Sequence, residues 1–238
     1  MSANTKTGVL TQRELIRTAI QLLIVVVIMP FLPLLITQRW DWWEAWLFAF
    51  LFILSFVVSR AIPARKYPDL LMERTRSLDQ ENAQPWDRVI APVVALGFSL
   101  LPLIAGLEAL FGWSKGFSIM IEILALVVIL AGYTIATYAL IENRFFSGVV
   151  RIQSERGHQV VSSGPYRVIR HPGYAGAVLY YLATPFLLDS WWALLPAVIA
   201  SVLLIIRTHL EDRFLQNELT GYREYASRVH YRLFLGVW

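Results

Sequence analysis

The chain contains no cysteine. That single absence removes a disulfide framework, a thiolate metal site and a cysteine nucleophile, and it leaves the compartment open. Charge is scarce too: Asp, Glu, Lys and Arg supply 16% of the 238 residues. Hydrophobic residues supply 57%, too large a share for an ordinary soluble domain, so the chain reads as an integral membrane protein. The four histidines, His158, His171, His209 and His230, lack the spacing of a metal-ligand motif, and no metal is expected. A net charge of +4 is what a membrane protein collects by gathering Lys and Arg on one side. No basic helix interleaved with aromatics stands clear of an apolar segment, so nucleic acid is not an expected partner. Internal repeats and low-complexity tracts are absent, and residues 1–238 read as one domain.

What the sequence does have is long apolar runs. Four of them, near Thr18 to Thr37, Trp42 to Ser59, Val89 to Phe111 and Phe117 to Ile141, can each span a hydrocarbon core of roughly 30 Å. The first carries Pro30 and Pro33 rather than a small-residue cleavage site, which favours an uncleaved transmembrane helix over a signal peptide. Two further runs, Tyr174 to Leu188 and Trp191 to Ile206, are separated only by Asp189-Ser190 and must form a tight antiparallel hairpin whose arms look short for full spans. With both termini on one side, 19 of the 21 Lys and Arg residues share it, leaving Arg39 and Lys115 opposite. The positive-inside rule makes that side cytoplasmic. Tryptophans 40, 42, 43, 46, 113, 191 and 192 fall near the other surface, where an aromatic belt belongs. Between the early helices, residues 61–87 form the one long polar stretch, read as an amphipathic or irregular surface element, either a solvated linker or a substrate lid. Gly132 and Ala136 have the spacing of a helix-packing face, and Glu108 and Glu122 are expected at the far interface, reached by water and structural in role.

The chemistry-bearing residues gather in two clusters. The first is GPYRVIRHPGYAG, from Gly164 to Gly176, which opens the hairpin. Pro165 and Pro172 stiffen the loop, Gly173 and Gly176 permit close approach, and a helix N-terminus with Arg167 and Arg170 nearby suits a carboxylate or phosphate. The second cluster, Arg207, His209, Glu211, Asp212 and Arg213, returns to the same surface where the hairpin ends. Arg207 and Glu211 are four apart and could pair, whereas the adjacent Glu211 and Asp212 must point to different neighbours. Asn143, ending the fourth helix, is either its C-terminal cap or a pocket contact. Spacing by itself leaves a second reading open for both clusters, as lipid-headgroup anchors and a solvated helix extension.

Taken together, GPYRVIRHPGYAG, the apolar hairpin, RTHLED, GYREYASRV and the closing YRLFLGVW resemble the isoprenylcysteine carboxyl methyltransferase and phospholipid methyltransferase superfamily over roughly residues 143–238. The resemblance implies an all-α polytopic bundle of about six transmembrane helices, with N-terminal helices in 1–142 and a methyltransferase-like region in 143–238. It implies methyl transfer from S-adenosyl-L-methionine, at the cytoplasmic face of what would be a bacterial inner membrane, to a hydrophobic acceptor such as a prenylated-thiol carboxylate. Membrane lipids are the other expected partner. The resemblance implicates Arg170, His171, Pro172, Tyr174, Gly176, Glu211 and Asp212 in the cofactor site; Asn143, Gly164, Tyr166 and Arg207, in or beside the same clusters, complete the candidate set, with His171 and Glu211 as base candidates should the acceptor be an amine. The family's paired glutamates stand here as Glu211-Asp212, and Leu235 occupies a tail position that commonly holds proline. An NADPH-dependent membrane reductase resembling sterol reductases, and a non-catalytic lipid- or partner-binding protein, are the alternatives.

Overall fold

The computed structural model describes residues 23–75 and 82–238. Among these the chain is helical throughout, with one isolated parallel bridge between Ile169 and Tyr231 in place of any sheet. Eight α-helices follow in order: α1 (Leu32–Thr37), α2 (Trp43–Lys66), α3 (Pro68–Thr75), α4 (Asp87–Phe111), α5 (Ile119–Glu142), α6 (Pro172–Leu187), α7 (Leu194–Glu218) and α8 (Tyr222–Arg228). Four of them carry stretches long and apolar enough to cross a membrane: Trp43–Pro63, Asp87–Phe111, Ile119–Glu142 and Leu194–Glu218. The chain is thus a polytopic helical membrane bundle.

The first apolar run is not one regular helix. Over its described part, a π-helical stretch, Leu23–Ile28, gives way to a 3-10 turn, Met29–Phe31, before α1 begins. Pro30 and Pro33 explain the break, since each lacks the N–H that would continue the ladder. Residues 18–22 of that expected span lie outside the described residues. The hairpin also differs from expectation in its second arm. Helix α7 runs unbroken for 25 residues, long enough to cross the bilayer and carry the second polar cluster beyond it.

Close backbone contact fixes the helix arrangement. At the α5–α6 seam, a Cβ on Gly132 would lie 2.6 Å from the Gly176 carbonyl oxygen, and one on Gly176 would lie 2.4 Å from that of Gly132. Neither position has room for a side chain. Gly97 meets Ala200 in the same manner where α4 crosses α7, and Gly106 lets α1 approach α4 through Pro33 and Ile36. Phe48, Ile129, Tyr180 and Leu187 fill the space between these contacts. At the end away from the motif, Glu108 accepts hydrogen bonds from the Trp191 and Trp192 N–H groups and from the Ser114 and Ser190 hydroxyls. It therefore caps the turn that sequence alone showed as two residues. Asp189 holds that turn with a left-handed φ of 54° and accepts the Phe117 N–H at 2.6 Å. Glu108 and Glu122 are 2% and 5% exposed within the chain, so protein rather than water surrounds them. Glu44, Glu122 and Asp189 converge there with carboxylate oxygens within 4.8 Å of one another, a grouping that involves none of the histidines.

The polar stretch after α2 is more ordered than a solvated linker. Asp69 and Glu73 lie one turn apart on α3 and bind the loop that follows α5: Asp69 holds Arg144 and Arg156, and Glu73 holds Arg151 and Ser147. Burial acts to raise both carboxyls, but the hydrogen bonds and charges of their arginine partners outweigh it and hold them below the usual carboxylate range. Arg76, Asp79 and Glu81 lie outside the described residues.

Candidate functional site

Where α5 ends, Asn143 resolves the choice between cap and contact by serving as both. Its N–H reaches the Ala139 carbonyl at 3.1 Å, its Oδ1 accepts the Phe145 N–H, and its amide donates to Tyr166 Oη at 3.2 Å. The loop from 144 to 171 then folds over the bundle end. Gly164 turns it with a φ of 53°, tucked so tightly that a Cβ would strike the Glu142 side chain at 2.6 Å. Tyr166 is pinned from behind, because Tyr225 of α8 donates to its carbonyl at 2.7 Å. Burial raises the phenol of Tyr166 above its ordinary range, so it stays a neutral donor and acceptor.

Arg170 and His171 mark the start of α6, and the chain's tail lies alongside them. The Arg170 and His171 N–H groups donate to the Tyr231 and Arg232 carbonyls, each at 2.9 Å. The Arg170 guanidinium grips Asp212 with both carboxylate oxygens, at 2.7 and 3.0 Å, and donates to the Val229 and His230 carbonyls as well. Asp212 is fully buried and also receives Arg232, Gln216 and Tyr222. His171 Nε2 lies 3.4 Å from both Asp212 and Tyr222. Its ring stacks parallel to that of Tyr174 at 5.8 Å.

The neighbouring carboxylate does face elsewhere. Glu211 is half-buried and accepts the Tyr174 hydroxyl at 2.6 Å, and among the described residues no cation pairs with it. It borders a cavity that opens to the surface. Asn143, Tyr166, Arg170, His171, Tyr174 and Glu211 all line this cavity, joined by Phe145, Gln153, His158 and Gly173. Arg151 and Arg170 line it as well, each in an ion pair, Arg151 with Glu73 and Arg170 with Asp212, which also takes Arg232. Glu211 is thus a carboxylate at the cavity wall that no cation engages in an ion pair among the described residues, although Arg207 acts on it through space.

Five of the expected cofactor residues are not brought to the cavity wall, each for a physical reason. Gly164 shapes the loop, Pro172 is buried at the opening of α6, and Gly176 is consumed by the seam with α5. Asp212 is enclosed by its partners. Arg207 pairs with Asp87 rather than with Glu211, at 2.6 and 2.9 Å. The expectation that Arg170 adds free charge near a helix N-terminus gives way to a clasp between α6, α7 and the tail.

His158 is the wall residue that spacing did not reveal. Its Nδ1 accepts the Gln153 N–H at 3.3 Å and its ring lies 4.6 Å from Phe145. Burial first, and then the charges of Arg151 and Arg156, push its pKa from 6.5 down to about 4. The folded state thus favours neutral imidazole, and the unfolded chain takes up the proton first as pH falls. His158 stabilises the fold fully above pH 6.5, and that contribution is lost progressively toward pH 4. His158→Asn keeps an acceptor for Gln153 without a titrating ring. Its thermal unfolding should depend less on pH between 6.5 and 4.5 than that of the wild type, and parallel curves would refute the assignment.

The structure is that of a polytopic helical membrane bundle with an open cavity at one end, and comparison with known proteins shows what it is similar to. Residues 120–220, from α5 through α7, match the phospholipid methyltransferase family. A probable protein-S-isoprenylcysteine O-methyltransferase of Oryza sativa subsp. japonica is 29% identical over 146 residues, covering 58% of this chain and 73% of that protein. Protein-S-isoprenylcysteine O-methyltransferase A of Arabidopsis thaliana is 33% identical over 108 residues, covering 44% and 54%. The chain is thus similar over residues 120–220 to the phospholipid methyltransferase family, and over a longer stretch to protein-S-isoprenylcysteine O-methyltransferases.

Proposed function

We propose that the protein transfers a methyl group from S-adenosylmethionine to a hydrophobic acceptor at the cytoplasmic face of the membrane. The observation that carries this reading is Glu211, a carboxylate at a cavity wall with a phenol but no cation as partner. Such a group suits a positively charged ligand. When bound, S-adenosylmethionine supplies an electrophilic methyl carbon on a cationic sulfur. Glu211 would face that charge, Asn143 and Gln153 offer amide contacts, and Phe145 offers an aromatic surface. Tyr174 orients Glu211, while Arg170 and Asp212 hold α6 against α7 behind the wall.

The names of the relatives favour the carboxylate of an isoprenylcysteine as acceptor. A carboxylate is already deprotonated at neutral pH, so the reaction needs alignment and exclusion of water rather than a base. That agrees with His171, whose Nε2 is occupied by Asp212 and Tyr222 rather than directed at open space. The similarity of residues 120–220 to the phospholipid methyltransferase family makes a phospholipid amine the main other acceptor. The cytoplasmic assignment rests on the distribution of Lys and Arg along the sequence, which puts 19 of the 21 in the segments expected on one side of the membrane.

Purified protein in detergent should unfold at a higher temperature with S-adenosylmethionine and be unaffected by NADPH. A ligand at one hundred times its Kd stabilises by about 2.7 kcal/mol. Stabilisation by NADPH alone would overturn the methyltransferase reading in favour of a reductase. Mass spectrometry of membranes incubated with the enzyme and labelled donor identifies the acceptor.

A further inference from the structure

Helical spacing sets Arg207 and Glu211 four residues apart on α7, the separation at which an arginine and a glutamate ordinarily pair. They do not pair here: among the described residues no ion pair joins them. Arg207 is instead drawn to Asp87, the first residue of α4, whose carboxylate is fully buried. Asp87 binds Arg207 through both oxygens, at 2.6 and 2.9 Å, and accepts the Val150 N–H at 2.7 Å. Arg207 also donates to the Gly148 carbonyl at 2.9 Å, and its guanidinium carbon lies 5.2 Å from the ring centre of Tyr174, the residue that donates to Glu211.

We propose that Asp87 is a positioning residue for the cavity: by holding Arg207 in a bidentate pair it keeps Glu211 out of a direct ion pair and available to a cationic ligand. The inference rests on the cofactor reading above but concerns a residue outside the segment that matches the family, 120–220. Asp87 does not line the cavity. Its effect passes through Arg207. Were Asp87 neutral, Arg207 would have one carboxylate within its helical reach, Glu211, and pairing with it would cancel the charge at the cavity wall. The same bonds to Gly148 and Val150 join this pair to the loop beside the cavity, so an electrostatic role must be separated from that of a simple staple.

A set of variants separates them, with S-adenosylmethionine and its neutral thioether product, S-adenosylhomocysteine, as calorimetric probes on the full chain in detergent. Asp87→Asn should weaken S-adenosylmethionine at least tenfold and the neutral product much less. Adding Arg207→Gln to Asp87→Asn removes the competing cation and should restore most of the lost affinity. Equal losses for both probes in the single and double variants would show a staple and overturn the proposal. A second readout requires no ligand and covers a single variant that folds poorly. Glu211→Gln should lower the unfolding temperature more in the Asp87→Asn background than in the wild type, because only there does Glu211 partner Arg207. Equal effects in the two backgrounds would also overturn it. If the wild type binds no S-adenosylmethionine, the cofactor reading fails, while this unfolding comparison still decides whether Asp87 diverts Arg207.

Discussion

Glu211→Gln should lose S-adenosylmethionine affinity by about 1.5–3 kcal/mol, roughly ten- to a hundredfold in Kd, while unfolding at the wild-type temperature. The substitution is isosteric and keeps an oxygen to accept the Tyr174 hydroxyl, so the local packing is preserved. What disappears is a negative charge at the cavity wall that no cation engages in an ion pair among the described residues. S-adenosylhomocysteine, whose sulfur is neutral, should lose less affinity than the sulfonium. Isothermal calorimetry on the two ligands makes the comparison, and an unchanged Kd for both would remove Glu211 from the site.

Asp212→Asn, one residue further along, should behave in the opposite manner. It should destabilise the fold by about 3–5 kcal/mol, the usual cost of removing one partner from a buried ion pair. Asp212 is fully buried and gathers Arg170, Arg232, Gln216 and Tyr222. Without its charge, Arg170 and Arg232 face each other across a protein interior. Ligand binding should fall only as far as the folded population falls. Thermal unfolding in detergent, paired with calorimetry on the fraction that remains folded, checks both halves. A variant as stable as the wild type but unable to bind would make Asp212 a ligand contact after all.

This division of labour between two adjacent carboxylates was half legible in the sequence. Helical geometry dictates that Glu211 and Asp212 face different neighbours, and the structure gives each its own. Which of them meets the cavity depends on where α6 and the tail lie, and no local pattern encodes that. Similarly, the four-residue spacing of Arg207 and Glu211 pointed to a pair, but the partner of Arg207 lies 120 residues away at the start of α4. Local rules rank neighbours on one helix and are silent about a fully buried competitor on another. The bundle itself was easier to read, since apolar runs must be helical to satisfy their backbone in lipid. The loop from 144 to 163 was hardest. It has no periodicity to follow, and its wall residues Gln153 and His158 acquire meaning only once α3 has clamped Arg151 and Arg156.

The glycine seam between α5 and α6 has a bearing on which acceptors fit. Asn143 extends from the end of α5 and His171 precedes the start of α6, so the gap between them is gauged by how closely the two backbones approach at Gly132 and Gly176. A methyl group on either glycine would act as a wedge, spreading the two helices and widening the gap above it. The calibre of the cavity therefore depends on two positions that do not themselves line it.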